Sequence, residues 1–317
     1  MSLQSFFTWA RSAAAAPVLM IFGATLISFS GVFVKLADVS PTISGFYRVL
    51  IGGLLLLLLA ILRGQRLWNG PAVFGLTVFC GIFFALDLYV WHRSIHFVGP
   101  GVATILANFQ VFFLGAVGVL FLREVITLRL LAAAPLAVAG LFLIFGIEWH
   151  TLTETYKTGV FLGVCAAGFY SAYTLSLRAL QSKEQALSPM ATLAFVSLVT
   201  ALCLAAAGWA EGRSFAIGNA KTLFSLVALG VFSQVLGWVV IATALPRLRA
   251  SLAGLLLLLQ PLLAFVWDVV FFHRPAGLIN VAGVAVTLAA IYLGSTGRQP
   301  AEAKTQKISS RAEMQGR

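Results

Sequence analysis

The chain is built from apolar runs of about twenty residues separated by short polar breaks, and this pattern leaves few folds open. A helix that crosses the hydrocarbon core of a bilayer needs about 20 predominantly apolar residues. Helices suit that role because they satisfy every backbone amide within their own segment. Ten runs meet the requirement: 17–36, 41–62, 71–93, 99–122, 128–147, 158–179, 189–209, 219–243, 250–272 and 276–295. Proline opens several of them (Pro17, Pro41, Pro71, Pro189), at positions where a helix has no use for an amide donor. Composition agrees, with 60% hydrophobic and 10% charged residues among 317; soluble domains carry about 25% charged residues. The expected fold class is an all-α polytopic membrane protein of ten transmembrane helices. Residues 1–16 precede the first run, and the polar stretch 298–317 reads as a disordered tail.

The formal net charge of +11 does not point to nucleic acid, because the basic residues are scattered over short loops and the tail. Their distribution sets an orientation instead. Arg11, Arg63, Arg66, Arg123, Arg129, Arg178, Lys183, Arg247, Arg249, Arg298, Lys304, Lys307, Arg311 and Arg317 fall on one side, 14 in all. Arg93, Lys157, Arg213, Lys221 and Arg274, five in all, fall on the other. The positive-inside rule then puts both termini in the cytoplasm, and the expected location is a bacterial inner membrane. Cys80, Cys165 and Cys203 lie within apolar runs and show no metal spacing. The N-terminus lacks a basic start followed by an apolar core and is not read as a signal peptide.

Two glutamines interrupt the most apolar stretches, in "ILANFQVFF" at 105–113 and "LLLLLQPLL" at 255–263. A shift of 150 residues superposes Gln110 on Gln260, and also Ala103 on Ala253, Leu106 on Leu256, Val119 on Val269 and Phe121 on Phe271. "SP" at 40–41 recurs at 188–189 with a slightly different shift. Residues 17–147 and 158–295 thus read as two copies of five helices. Five is odd, so the second copy enters the membrane from the opposite face and forms a 5+5 inverted-topology repeat around a central cavity. Such repeats are common in secondary transporters, whose substrate sites lie near the midplane. Pro261 removes a helical hydrogen bond beside Gln260, and broken backbone at that depth is tolerated where it lines a cavity or is buried in protein. Each glutamine has two readings: a lining residue, or an interhelical hydrogen bond worth about 0.6 kcal/mol.

The stretch "FLREVITLRLLAAAPLAVAGLFLI" at 121–144 resembles the end of the EamA-type repeat of the drug/metabolite transporter superfamily, with Glu124, Thr127 and the small-residue helix that follows. "SPTISGFYRVL" at 40–50 resembles the family's second span. The second copy, "FFHRPAGLINVAGVAVTLAAIYL" at 271–293, departs from the pattern by placing Arg274 where the first has Glu124. Among bacterial members the chain looks most like exporters of aromatic amino acids. The resemblance implies export of amino acids or similar small metabolites by alternating access.

Ionisable residues inside spans are expensive and default to functional candidates. Asp87, followed by Trp91 and His92, either binds a substrate ammonium, carries a proton or pairs with Arg48. Lys35 and Asp268, near span ends, are expected to snorkel to the interface. Tyr170 with Tyr173 and Gln234 with Trp238 share helical faces; these four, with Asn108, Gln110, Gln260, Asp87 and Trp91, complete the set of candidate cavity residues. Each aromatic also has a packing reading. No phosphate-binding loop or zinc-protease motif occurs, so neither an ATPase subunit nor a cofactor or metal is expected. The expected partners are a small-molecule substrate and the lipid bilayer. Other small organic solutes such as drug-like cations, nucleosides or sugar derivatives remain open as cargo. An enzyme acting on a lipid and a passive channel are the rival classes; the first would want paired carboxylates or a histidine cluster, the second a polar pore stripe.

Overall fold

The computed structural model describes residues 15–125, 127–145, 153–183, 186–273 and 275–295. The expected N-terminal segment before residue 15, residues 148–152 of the loop at 148–157, Arg274 and the polar tail lie outside the described residues. Regular structure among the described residues is helical: α1 (Ala16–Ser28), α2 (Ser30–Leu36), α3 (Pro41–Leu62), α4 (Pro71–Ala107), α5 (Gln110–Leu120), α6 (Leu128–Phe145), α7 (Glu154–Gln181) and α8 (Pro189–Ala210). There follow α9 (Ala220–Ala228), a π-helical segment (Leu229–Gly237), α10 (Trp238–Ala244), a short 3-10 turn (Leu245–Arg247), α11 (Ala250–Leu257), α12 (Leu259–Phe272) and α13 (Leu278–Ser295). Prolines take the first position of α3, α4 and α8, as their lack of an amide favours. Thr153 and Ser188 cap α7 and α8 through their hydroxyls.

Among the described residues, eight helical runs are long and apolar enough to cross a membrane, while Leu128–Ile144 and Leu278–Gly294 are apolar but shorter. The boundary expected between the third and fourth spans lies where two membrane-crossing runs meet, Pro71–Val98 and Val102–Leu120, although helical bonding continues through it in α4 to Ala107. The chain nonetheless folds back there. Ser94 and Leu106 would stand about 18 Å apart on a straight helix. Both lie against Gly163, where an added methyl group would sit 2.7 Å from Leu106 Cβ and 2.9 Å from Ser94 Oγ. The Ser94 hydroxyl also donates to the Gly159 carbonyl at 2.8 Å.

Local devices recur at separations of 148 and 150 residues. Helix α3 and helix α8 have 22 residues each. Both end on a left-handed glycine, Gly64 (φ 60°) and Gly212 (φ 65°). The amides there bond back identically, Gly64 to Ile61 and Gln65 to Ala60, Gly212 to Trp209 and Arg213 to Gly208. Arg123 and His273, 150 residues apart, are the positive-φ non-glycine positions among the described residues, at 52° and 51°. The breaks at Asn108–Phe109 and at Leu258 are also in register, each with 3-10-type bonding such as Asn108 N–H to Ile105 O and Leu258 N–H to Leu255 O, both 3.1 Å.

Helices from the two halves pack on each other: α4 on α7, α6 on α13, α3 on α8 and α5 on α11. Lipid chains are as apolar as the helices, so tight backbone approach rather than hydrophobicity holds such pairs. The α6–α13 contact illustrates this. A methyl on Gly140 would lie 2.8 Å from the Gly283 carbonyl, and the Thr287 hydroxyl of α13 reaches the Ala137 carbonyl of α6 at 3.4 Å.

Candidate functional site

A cavity of about 1290 Å³ lies between the halves. It extends from residues midway along the helices to the end of the bundle where Lys35, Pro41, Phe97, Val98, Tyr156 and Phe272 stand. Two helix breaks deliver side chains to it. After the break at Asn108–Phe109, α5 opens with Gln110; after the break at Leu258, α12 opens with Gln260 at its second position and Pro261 at its third. Asn108, Gln110, Gln260 and Pro261 all line the cavity. Pro261 has no amide to give the Leu257 carbonyl, and the break falls at the next residue, Leu258. The helix is interrupted three residues before the proline, and Pro261 sits in the first turn of α12, where no amide donor is needed. The first half breaks in the same register without a proline, and there the Asn108 side chain bonds to the Thr104 carbonyl at 2.7 Å.

Aromatic rings form one wall. Phe84 stacks on Tyr173 with centroids 4.3 Å apart and planes 13° apart. Trp238 meets Tyr173 edge-on at 4.8 Å and Phe84 at 5.8 Å, with Tyr170 6.1 Å away. Phe84, Tyr170 and Trp238 line the cavity, while Tyr173 lies fully buried behind them. Trp91 lines it further towards the mouth. Gln234 lies elsewhere. It is fully buried, donates to Ser197 Oγ at 2.8 Å and packs on Gly52, within the π-helical segment that precedes Trp238. π-Helical turns often mark functional positions; here the segment is also tied by Ser233 Oγ to Ser30 Oγ at 2.8 Å, beside the α1–α2 break.

The polar groups of the cavity are unusually underused. Arg48 Nε, His92 Nδ1, Gln110 Oε1 and Trp238 Nε1 are buried and have no hydrogen-bond partner. Tyr170 and Gln260 stand side by side. Asp87, 6% exposed, faces the same space within electrostatic reach of Arg48. The structural pair of Asp87 with Arg48 is absent: no Arg48–Asp87 contact occurs within the 4.0 Å of an ion pair. Lys35 and Asp268 depart from expectation in the other direction. They do not reach separately for the interface but bind each other at 2.7 Å across the cavity mouth, with Lys35 also 4.8 Å above the Phe272 ring.

The opposite end of the bundle is closed by Glu124. Its side chain is 6% exposed and accepts from Ala250 N at 2.7 Å, Ser251 Oγ at 2.9 Å and Ser251 N at 3.3 Å. Arg178 Nη1 stands 3.6 Å away, and Arg249 Nη1 donates to the Val125 carbonyl at 2.9 Å. A carboxylate at the N-terminus of α11 satisfies orphan amides and meets the positive end of the helix dipole. Glu124 is visible in the sequence as a motif residue, but the partners that give it a task are Arg178, Ala250 and Ser251. Arg48 also lines the cavity, and the sequence carries a signal for it. The signal was its lack of a counterpart: a shift of 148 places Val196 there.

The family model for EamA-like transporters matches this chain twice, over residues 14–146 and 157–296. The chain belongs to the EamA-like transporter family. Family relatives include YvbV, an uncharacterized transporter of Bacillus subtilis, 25% identical over 287 residues that cover 87% of this chain and 90% of the relative. YdfC, another uncharacterized transporter of that organism, is 24% identical and covers 86% of this chain and 87% of its own. An uncharacterized transporter of Archaeoglobus fulgidus is 24% identical, with 84% and 93% covered. A solved crystal structure of a protein superposes with a TM-score of 0.78 at 16% identity, covering 90% of this chain and 99% of that one. This EamA-like protein is therefore a multi-pass membrane protein of the transporter type, acting on a small-molecule substrate within a bilayer.

Proposed function

We propose that the protein is a secondary transporter that exports amino acids, aromatic or neutral, or similar small metabolites by alternating access, and that it is a carrier rather than an enzyme. Ten helices form the carrier as a 5+5 inverted repeat, with residues 17–147 and 158–295 as its copies and both termini on the cytoplasmic face of a bacterial inner membrane. The observation that carries the reading is a cavity lined from both halves, with Gln110 and Gln260 together in it and a closed contact at Glu124 on the other side. The devices repeated at separations of 148 and 150 residues support the two-copy architecture. Aromatic faces beside amides and charges suit an aromatic or zwitterionic solute of a size that the cavity volume admits. In this reading the solute enters a site that opens to one side while the Glu124 contact seals the other, and the two seals exchange during the cycle.

The test is thiol labelling. With Cys80, Cys165 and Cys203 replaced, single cysteines at Gln110 and Gln260 should react with a small hydrophilic thiol reagent, because a wet cavity supports the thiolate. A panel of amino acids should contain at least one that protects both positions. Two inert thiols, or reaction that no amino acid slows, would overturn the reading.

A further inference from the structure

The cavity holds a basic and an acidic side chain that lie within electrostatic reach of each other but form no ion pair. Arg48 rises from α3 and Asp87 from the middle of α4; both line the cavity, and they do not approach within ion-pair distance. The guanidinium is permanently charged and carries five donors in a planar fork that matches a carboxylate. Its Nε is buried without a hydrogen-bond partner, and so is the neighbouring His92 Nδ1. A buried donor without a hydrogen-bond partner is expensive, and buried polar groups are almost always satisfied. A guanidinium donor left in this state, facing a cavity walled by Phe84, Tyr170 and Trp238, is built for a group that arrives with the ligand.

We infer that Arg48 is the anchor for a carboxylate on the transported solute and Asp87 the anchor for its ammonium, so that the site selects a zwitterion over a singly charged solute sharing its side chain. This rests on the reading of the cavity as an amino-acid carrier site and adds the residues that recognise the two charges. Both anchors belong to the first half. Their register partners in the second, Val196 for Arg48 and Gly237 for Asp87, carry no charge. The solute is therefore oriented, with its charged end towards α3 and α4 and its side chain towards Tyr170 and Trp238.

The experiment uses purified full-length protein and three probes with one aromatic ring: phenylalanine, phenethylamine, which lacks the carboxylate, and 3-phenylpropanoate, which lacks the ammonium. Binding is read by calorimetry or by the concentration dependence of the melting temperature. Wild type should bind phenylalanine more tightly than either analogue. Arg48→Gln should weaken phenylalanine by about thirtyfold or more, the loss expected when one member of a buried charge pair is removed, and leave phenethylamine unchanged. Asp87→Asn should do the converse, sparing 3-phenylpropanoate. Arg48→Lys, which keeps the charge but not the fork, should fall between wild type and Arg48→Gln, and it serves in place of Arg48→Gln if that variant does not purify as a folded species. Phenylalanine binding equal in wild type and the Arg48 variants would overturn the inference and leave the carrier reading standing. A wild-type protein that binds neither phenylalanine nor any other amino acid would overturn both.

Discussion

The contact that closes the bundle opposite the cavity makes a quantitative prediction. Glu124→Gln keeps the side chain's length but turns one acceptor oxygen into a donor. One amide-group oxygen still reaches Ala250 N, now 2.7 Å from the carboxylate, while the new NH2 faces the Ser251 amide and hydroxyl that donated at 3.3 and 2.9 Å. Losing a hydrogen bond to a charged acceptor costs about 1.5–3 kcal/mol. The attraction to Arg178, at 3.6 Å and 21% exposed, adds about 0.5 kcal/mol after solvent screening. The total is about 2–3.5 kcal/mol, and it bears only on the state in which this end is closed. The equilibrium should shift towards opening by roughly 30- to 350-fold. A single cysteine at Val111, 3% exposed and packed on Gly254 of α11, reports the opening. Its reaction with an impermeant thiol reagent, added from the membrane side on which Glu124 lies, should accelerate at least about tenfold in Glu124→Gln. Equal labelling rates in both backgrounds, with equal melting temperatures, would refute the latch.

Pro261→Ala should leave the break at Leu258 in place, because the first half breaks at Asn108–Phe109 without proline; transport should stay near wild type, with stability altered by less than about 1 kcal/mol, and a collapse of turnover would restore the proline to a mechanical role. Gly140→Ala puts a methyl 2.2 Å from Thr287 Oγ1 and 2.8 Å from the Gly283 carbonyl, so it should destabilise the α6–α13 pair by about 1–3 kcal/mol, read as a lower melting temperature in detergent. Lys35→Ala breaks a pair whose side chains are 49% and 20% exposed, so it should cost less than about 1 kcal/mol and leave the melting temperature nearly unchanged; a large drop would mean the pair supports the fold rather than the cavity mouth.

Membrane physics made most of the architecture readable. The starts of α3, α4 and α8 fall on prolines because the missing amide is harmless only at a helix start. Hydropathy located the boundary between the third and fourth spans, whereas the helical bonding that carries α4 across it to Ala107 is a matter of backbone geometry on which hydropathy is silent. Gln110 and Gln260 were visible by register alone, and the structure brings both to the cavity. Gln234 had the same residue type but occupies an interhelical contact with Ser197, because which face of a π-helical segment turns inward does not follow the 3.6-residue period used to read it. Pairings across the two halves, such as Lys35 with Asp268 or Glu124 with Ser251, join residues 233 and 127 positions apart, and local pattern carries no information about them.

Counterflow in proteoliposomes tests the central claim most directly. Vesicles loaded with unlabelled phenylalanine or another amino acid that protects the Gln110 and Gln260 cysteines would be diluted into the radiolabelled solute. A carrier with one site exposed alternately predicts transient accumulation of label above the external concentration and saturation with solute. Label entry that is indifferent to the internal solute and rises linearly with concentration would contradict alternating access and favour a pore.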